Sequence, residues 1–156
     1  RVGVLQLSHH TSDLVMSRFA GTEMYDPGRD MRSHQASHYG PRHDLERAEY
    51  RAFVQQRRWY ASKLAELLSA LASRPEGDGT MLDHTLVLFC SEVSDGNTHL
   101  HDDMPFALAG GAIRGGQTID VGYRRHGDLF ATIGQALGAS MPNFGQDSRG
   151  RIDGVL

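Results

Sequence analysis

The stretch from Asp83 to Gly111, DHTLVLFCSEVSDGNTHLHDDMPFALAGG, constrains the fold more than any other part of the sequence. It opens with a continuous apolar run, Thr85 to Cys90, of the β-branched and bulky residues that fill a strand buried on both faces. A second, shorter apolar run, Pro105 to Ala109, leads into a Gly-Gly pair. The pattern predicts two strands, with the one over residues 84 to 90 in the centre of a sheet.

Between these two runs lies a loop of unusual composition. Seven of its side chains can bind a metal ion or a charged ligand: Glu92, Asp95, Asn97, His99, His101, Asp102 and Asp103. A buried strand that ends in such a loop is a common way to build a site at the edge of a sheet. A solvated polar loop is the alternative, but the density of His with carboxylate favours a metal or anion site.

The remaining periodicity predicts an α/β fold. Apolar residues between 43 and 74 recur mostly at helical spacing, which predicts a helix over roughly 44 to 73, packed on the sheet, with Leu67 as a buried core anchor. Val2 to Leu7 reads as a core strand, QTIDVG as a short strand, and LFATIGQAL as a second helix with Asp128 as its cap. This order of elements is typical of an α/β layered sandwich, here a single domain over residues 1–156.

Composition narrows the possible partners. The formal net charge of −3 gives no reason to expect nucleic acid or an anionic membrane surface as a partner. No apolar run approaches the roughly 20 residues that cross a bilayer. The single cysteine, Cys90, cannot form an internal disulfide and is expected to be buried in its strand. Nine His residues are the unusual figure, and they supply the commonest metal ligand.

A second group of His residues lies in the long polar segment from Gly21 to Pro41. His34 and His38 are one helical turn apart there, and segments of this length are usually functional or partly disordered. A mobile His-rich loop is the alternative. If this segment folds over the strand's end, the sequence predicts one metal site with five ligands: Glu92, His99, His101, His34 and His38. Zinc suits imidazole and carboxylate ligands best.

The motif His34-Gln35-Ala36-Ser37-His38-Tyr39 resembles the signature of the HXXSHH family of uncharacterised bacterial proteins. PEGDGT, TLVLFCSEVSDGNTHLHDDMP, the Ala109-Gly110-Gly111 run and Phe144-Gly145 match the family in the same order, although Tyr39 stands where the family usually has a second His. Family members are longer and commonly exported. The resemblance therefore implies that this chain corresponds to their C-terminal part, that a missing N-terminal segment or a partner chain completes it, and that it is periplasmic or secreted.

The segment TLVLFCSE with its His-containing loop is also distantly similar to alkaline phosphatase and sulfatase-like enzymes. In that comparison Glu92 falls on a metal-binding Asp, His99 or His101 on a later His ligand, and Val93 replaces a further His. The similarity implies a metal-dependent hydrolase of phosphoryl or sulfuryl esters, in a layered sandwich like the C-terminal part of that fold. The alternative is a non-catalytic structural or assembly module on the same scaffold, for which a homo-oligomer is one expected form.

Overall fold

A computed structural model describes all 156 residues of the chain. Its helices are α1 (Ser33–Ser37), α2 (Ala48–Ala72) and α3 (His126–Ala136), with a 3-10 turn at Met16–Arg18. Its strands are β1 (Pro75–Glu76), β2 (Gly79–Thr80), β3 (Leu86–Phe89) and β4 (Ala107–Gly110). The mixed α/β character predicted from the sequence is confirmed. None of the helices combines the length and apolar character needed to span a bilayer.

The chain divides into two compact units. The first contains Arg1–Leu67 together with Cys90–Phe106, and the second contains Leu68–Phe89 together with Ala107–Leu156. The His-rich loop that follows β3 therefore belongs to the first unit, whereas the two strands on either side of that loop belong to the second.

Helix α2 confirms the long helix predicted from the sequence, but not the buried position of Leu67. Its fully buried residues are Gln56 and Tyr60. The same face of the helix continues at intervals of four residues to Leu64 and Leu68, which are half-buried. Leu67 lies one residue off that line and is 42% exposed. The prediction of a buried core anchor is wrong. Truncation of Leu67 to Ala should therefore cost less free energy of unfolding than the loss of a fully buried leucine side chain.

The N-terminal segment differs from its predicted strand. Residues 2 to 7 form no regular structure, and Val2 and Val4 are 93% and 92% exposed. No backbone hydrogen bond from another segment reaches them, so their strand propensity has no partner to act on. Further along, residues 12 to 15 do pair with another segment. Leu14 accepts a hydrogen bond from the Ser33 amide at 2.8 Å, which fixes the start of α1.

The apolar run after Asp83 forms a strand, but one that is only half covered. β3 pairs in antiparallel register with β4, from Leu86 opposite Gly110 to Phe89 opposite Ala107. This sheet has two strands, and every residue of β3 is half-buried. The prediction of a central strand buried on both faces is therefore wrong, because β4 is its only neighbour. Cys90, which was expected to be buried, is exposed.

The second unit is organised by Asp128, a fully buried carboxylate near the start of α3. It lies inside the helix rather than at the predicted cap position, and accepts a hydrogen bond from the Arg125 amide at 3.2 Å. It also accepts hydrogen bonds from Arg124 Nε at 2.6 Å, the Ser148 hydroxyl at 2.9 Å and the Arg149 amide at 2.5 Å. Burial alone would raise the pKa of Asp128, but these donors outweigh it and hold that pKa well below its usual range.

The C-terminal tail packs against the same unit without regular secondary structure. The buried Thr132 hydroxyl accepts a hydrogen bond from the Ile152 amide at 2.8 Å, and Ile152 itself is buried. Gln117 donates to the Gly154 carbonyl at 2.5 Å. The short strand predicted at QTIDVG does not form, because side-chain contacts of this kind replace strand pairing there.

Asp128→Ala should lower the free energy of unfolding by about 3 kcal/mol at neutral pH, because it leaves Arg124 Nε and the Arg149 amide without their acceptor. The folded-state pKa of Asp128 is depressed, so its stabilisation is present above the unfolded pKa of about 3.9 and is lost as the pH falls further. Urea denaturation from pH 7 to pH 2 should show the two proteins converging in stability.

The control is Asp153→Ala, which removes a carboxylate that is 93% exposed and 3.7 Å from Arg151. Exposed pairs of this kind contribute little, so this variant should match the wild type. A constant difference between wild type and Asp128→Ala down to pH 2 would contradict the role given to the carboxylate.

Candidate functional site

Helix α1 places two imidazoles side by side. His34 and His38 are one turn apart, and their Nε2 atoms lie 3.2 Å from each other. The rings meet edge to face with centroids 4.7 Å apart. The short helix is tightened at its end by the Ser37 hydroxyl, which donates to the His34 carbonyl at 2.7 Å. The spacing of four residues predicted from the sequence thus brings the two rings together.

A backbone contact orients the ring of His34. Its Nδ1 lies 3.1 Å from the carbonyl oxygen of His10. A carbonyl only accepts hydrogen bonds, so His34 carries its proton on Nδ1 and, when neutral, presents a bare Nε2 to His38. Histidines that bind metals in proteins usually have this arrangement, in which one ring nitrogen donates to a protein acceptor and the other can bind the metal.

His99 brings a third imidazole to the pair. Its ring centroid lies 5.2 Å from that of His38 and 6.4 Å from that of His34. The backbone of His99 has a φ of 56°, a left-handed conformation that is uncommon for residues other than glycine. Desolvation, followed by the charges of His34 and His99, lowers the pKa of His38, while Asp95 acts in the opposite direction. The surroundings of His38 therefore favour its neutral form.

The segment after α1 and the loop that carries His99 must meet for these rings to converge. Asn97 joins the two. Its side-chain oxygen accepts a hydrogen bond from the Gly40 amide at 2.6 Å, and its side-chain nitrogen donates to the Gly40 carbonyl at 3.0 Å. Beside this contact Gly96 lies against Ser37, where an added Cβ would be 2.5 Å from the Ser37 carbonyl oxygen. A side chain at position 96 would separate the loops.

Asp95 and Tyr39 form the second connection between the loops. The hydroxyl of Tyr39 donates to Asp95 Oδ1 at 2.9 Å, and the ring of Tyr39 is buried. Hydrogen bonds from the Thr98 hydroxyl and the Asn97 amide lower the pKa of Asp95 to about 2, despite the opposing effect of desolvation. Desolvation and the hydrogen bond to Asp95 raise the pKa of Tyr39 to about 12, so its hydroxyl stays protonated.

The structure brings together three of the five ligands predicted from the sequence. His34, His38 and His99 form the cluster. Glu92 and His101 are exposed and make no hydrogen bond, ion pair or ring contact, so their place in the site stays a prediction. No set of three or more His, Cys, Asp or Glu side chains has the complete geometry of a metal site.

Several residues that build this site were not predicted from the sequence, or, like Asp95 and Asn97, were predicted only as possible ligands. The acceptor for His34 is the backbone carbonyl of His10, and no sequence signal marks such a contact. Asp95, Gly96 and Asn97 have the composition of a turn in which a side chain bonds to the backbone, and that signal could have identified them. Tyr39 stood out only as a departure from the HXXSHH pattern.

Comparison of the chain with protein-family models, curated proteins and solved structures gives no significant match. The resemblances described above therefore rest on their motifs.

Gly96→Ala should destabilise the chain by about 1–3 kcal/mol, since the added methyl group meets the Ser37 carbonyl and forces the two loops apart. Gly115→Ala is the matched control, because a Cβ there has nothing within 4 Å. Chemical denaturation of the two variants beside the wild type measures the difference. Equal stability of Gly96→Ala and Gly115→Ala would show that the loops do not meet as described.

Proposed function

We propose that the first unit binds a divalent metal ion, most suitably zinc, through His34, His38 and His99, and that the metal serves ester hydrolysis. The observation that carries the proposal is the His34–His38 pair, with its two Nε2 atoms 3.2 Å apart and the Nδ1 of His34 held by a carbonyl.

The separation of the pair suits chelation. Zinc binds imidazole nitrogen at about 2.0–2.1 Å in a tetrahedral arrangement, which sets two coordinated nitrogens about 3.3 Å apart. The Nε2 atoms of His34 and His38 are already within about 0.1 Å of that spacing. The same distance also fits a hydrogen bond between the two rings, in which the Nε2 proton of His38 is donated to His34. Metal binding would replace that proton.

His99 supplies the third ligand by rotation of its side chain. Its ring is close to both partners, and a change of side-chain rotamer would complete the geometry of a metal site that the three rings do not yet have. Glu92 and His101 are the further ligands proposed from the sequence. Glu92 follows β3 by three residues, and His101 follows His99 by two. Both therefore lie in the loop that carries His99 into the cluster.

The surface position of the cluster favours a catalytic over a purely structural metal. His38 and His99 are exposed, and three imidazoles leave one tetrahedral position for water or an ester oxygen. The distant resemblance to alkaline phosphatase and sulfatase-like enzymes supports phosphoryl or sulfuryl esters as substrates and the layered sandwich as the finer fold. The resemblance to the HXXSHH family supports a periplasmic or secreted location.

Metal content decides this proposal. Purified protein equilibrated with Zn²⁺ and then dialysed should retain about one ion per chain. His34→Ala and His38→Ala should weaken binding by more than the roughly 10–100-fold that loss of an outer-shell partner costs. Glu92→Gln and His101→Ala should also weaken retention if they complete the ligand set. Hydrolysis of 4-nitrophenyl phosphate and 4-nitrophenyl sulfate by the loaded protein then tests the reaction.

His84→Ala is the matched control, because His84 lies in the second unit and contacts Asp78 at 3.5 Å instead of the cluster. It should retain the metal as the wild type does. Zinc retention that is equal in wild type, His38→Ala and His84→Ala would rule out the site.

A non-catalytic assembly module is the second candidate function. The observation that favours it is exposed strand-forming surface: Val2, Val4 and Leu5 are 93%, 92% and 76% exposed, and β3 and β4 have no partner on their outer edges. Such edges are normally paired or covered. A partner chain, a further segment of a longer protein or a second copy of this chain would cover them.

Self-association is the form of assembly that the chain alone can show. Sedimentation velocity across a range of concentrations should show a dimer or larger species, and Val4→Lys should weaken it because a charge replaces an apolar contact. Ser69→Lys, at an exposed position on α2, should leave it unchanged. Sedimentation as a monomer at every concentration would contradict the homo-oligomer.

A further inference from the structure

Tyr39 occupies a central position in the first unit. It follows His38 directly and is buried, with 4% of its surface exposed. Its ring packs on Tyr50 and Phe53 of α2 at centroid distances of 5.1 and 4.9 Å, and its hydroxyl reaches Asp95. One side chain thus connects the end of α1, the helix α2 and the loop that carries His99.

Asp95 receives that hydroxyl and at the same time shapes the turn leading to His99. Its Oδ1 accepts hydrogen bonds from the amide of Asn97 at 3.1 Å and from the Asn97 side chain at 3.3 Å, while Oδ2 accepts the Thr98 hydroxyl at 2.5 Å. An isolated bridge between Asp95 and Leu100 closes the turn. His99 lies within this closed turn, and its backbone there is left-handed, with a φ of 56°.

We infer that Tyr39 and Asp95 are positioning residues for His99, and that the hydrogen bond between them decides whether the third imidazole faces the His34–His38 pair. This inference rests on the proposed metal site, in which His99 is the third ligand. Neither positioning residue acts as a ligand itself. Both oxygens of Asp95 already accept hydrogen bonds, and the Tyr39 hydroxyl is committed to Asp95.

The inference implies that the state of the Tyr39–Asp95 hydrogen bond controls metal affinity. With the Tyr39–Asp95 contact intact, three rings stand within 6.4 Å of one another. Without it, α1 still holds His34 and His38 at chelating distance through its own turn, but the loop that carries His99 would be held to the segment after α1 only by the Asn97–Gly40 hydrogen bonds and the packing of Gly96 on Ser37. A two-imidazole site binds metal more weakly than a three-imidazole one, so loosening this contact would release the ion.

Tyr39→Phe is the sharpest test, because it removes one hydroxyl and keeps the ring that packs on α2. Tyr50→Phe is the matched control from the same aromatic cluster, since the Tyr50 hydroxyl makes no contact with Asp95. Each protein is titrated with Co²⁺ alone, whose visible absorption distinguishes tetrahedral from six-coordinate binding. Tyr39→Phe should bind about 10–100-fold more weakly, the range for outer-shell losses, with a weaker, six-coordinate-like spectrum. Tyr50→Phe should match the wild type.

A second measurement needs no metal. In the metal-free protein, nuclear Overhauser effects should connect the ring protons of His38 and His99, whose centroids lie 5.2 Å apart. These effects should persist in Tyr50→Phe and disappear in Tyr39→Phe, while those between His34 and His38 remain in both. This pattern would support positioning even if the wild type bound no Co²⁺, a result that would overturn the proposed metal function alone.

The same two variants can also contradict the inference. If Tyr39→Phe retains both the His38–His99 effects and the Co²⁺ affinity of the wild type, the hydroxyl positions nothing and the inference is wrong. If Tyr39→Phe loses the His38–His99 effects but Tyr50→Phe loses them too, the rings depend on the packing of the aromatic cluster, and the specific role of the Tyr39–Asp95 hydrogen bond is again excluded.

Discussion

Hydrogen bonding to a single carboxylate holds the irregular chain together in each compact unit. Asp95 in the first unit and Asp128 in the second each accept hydrogen bonds from both backbone and side-chain donors. An ionised carboxylate has about four acceptor positions, and its bonds are stronger than those between neutral groups. Because both sheets have only two strands, these hydrogen bonds connect distant segments that a larger sheet would connect by strand pairing.

The regular elements were the part of the fold that the sequence predicted well. Helix α2 and helix α3 follow from apolar spacing, and the β3–β4 pair follows from two apolar runs around a polar loop. Burial was predicted less well, because it depends on neighbours. Val2 to Leu7 has strand-like residues but no segment to pair with. Leu67 lies one residue away from the buried face of α2 and is exposed.

The sequence predicted which His residues would lie together better than the contacts that hold them there, and their role as metal ligands stays a prediction. His34 and His38 met as expected because helical spacing is local, and His99 lies beside them because Asp95 and Asn97 of its loop bond to Tyr39 and Gly40. The orientation of the rings depends instead on a backbone carbonyl at His10 and on the Tyr39–Asp95 contact. Both are tertiary contacts between residues far apart in sequence, which spacing and composition do not reveal.

The separation along the chain between Tyr39 and Asp95, 56 residues, has a consequence for the order of folding. The His34–His38 pair can form as soon as one helical turn forms, whereas His99 joins only after a loop of that length has closed, at an entropic cost that grows slowly with loop length. A three-imidazole cluster would therefore exist only in molecules that have completed this closure. A metal that prefers it would bind the finished first unit selectively, and its binding energy would oppose reopening of the loop.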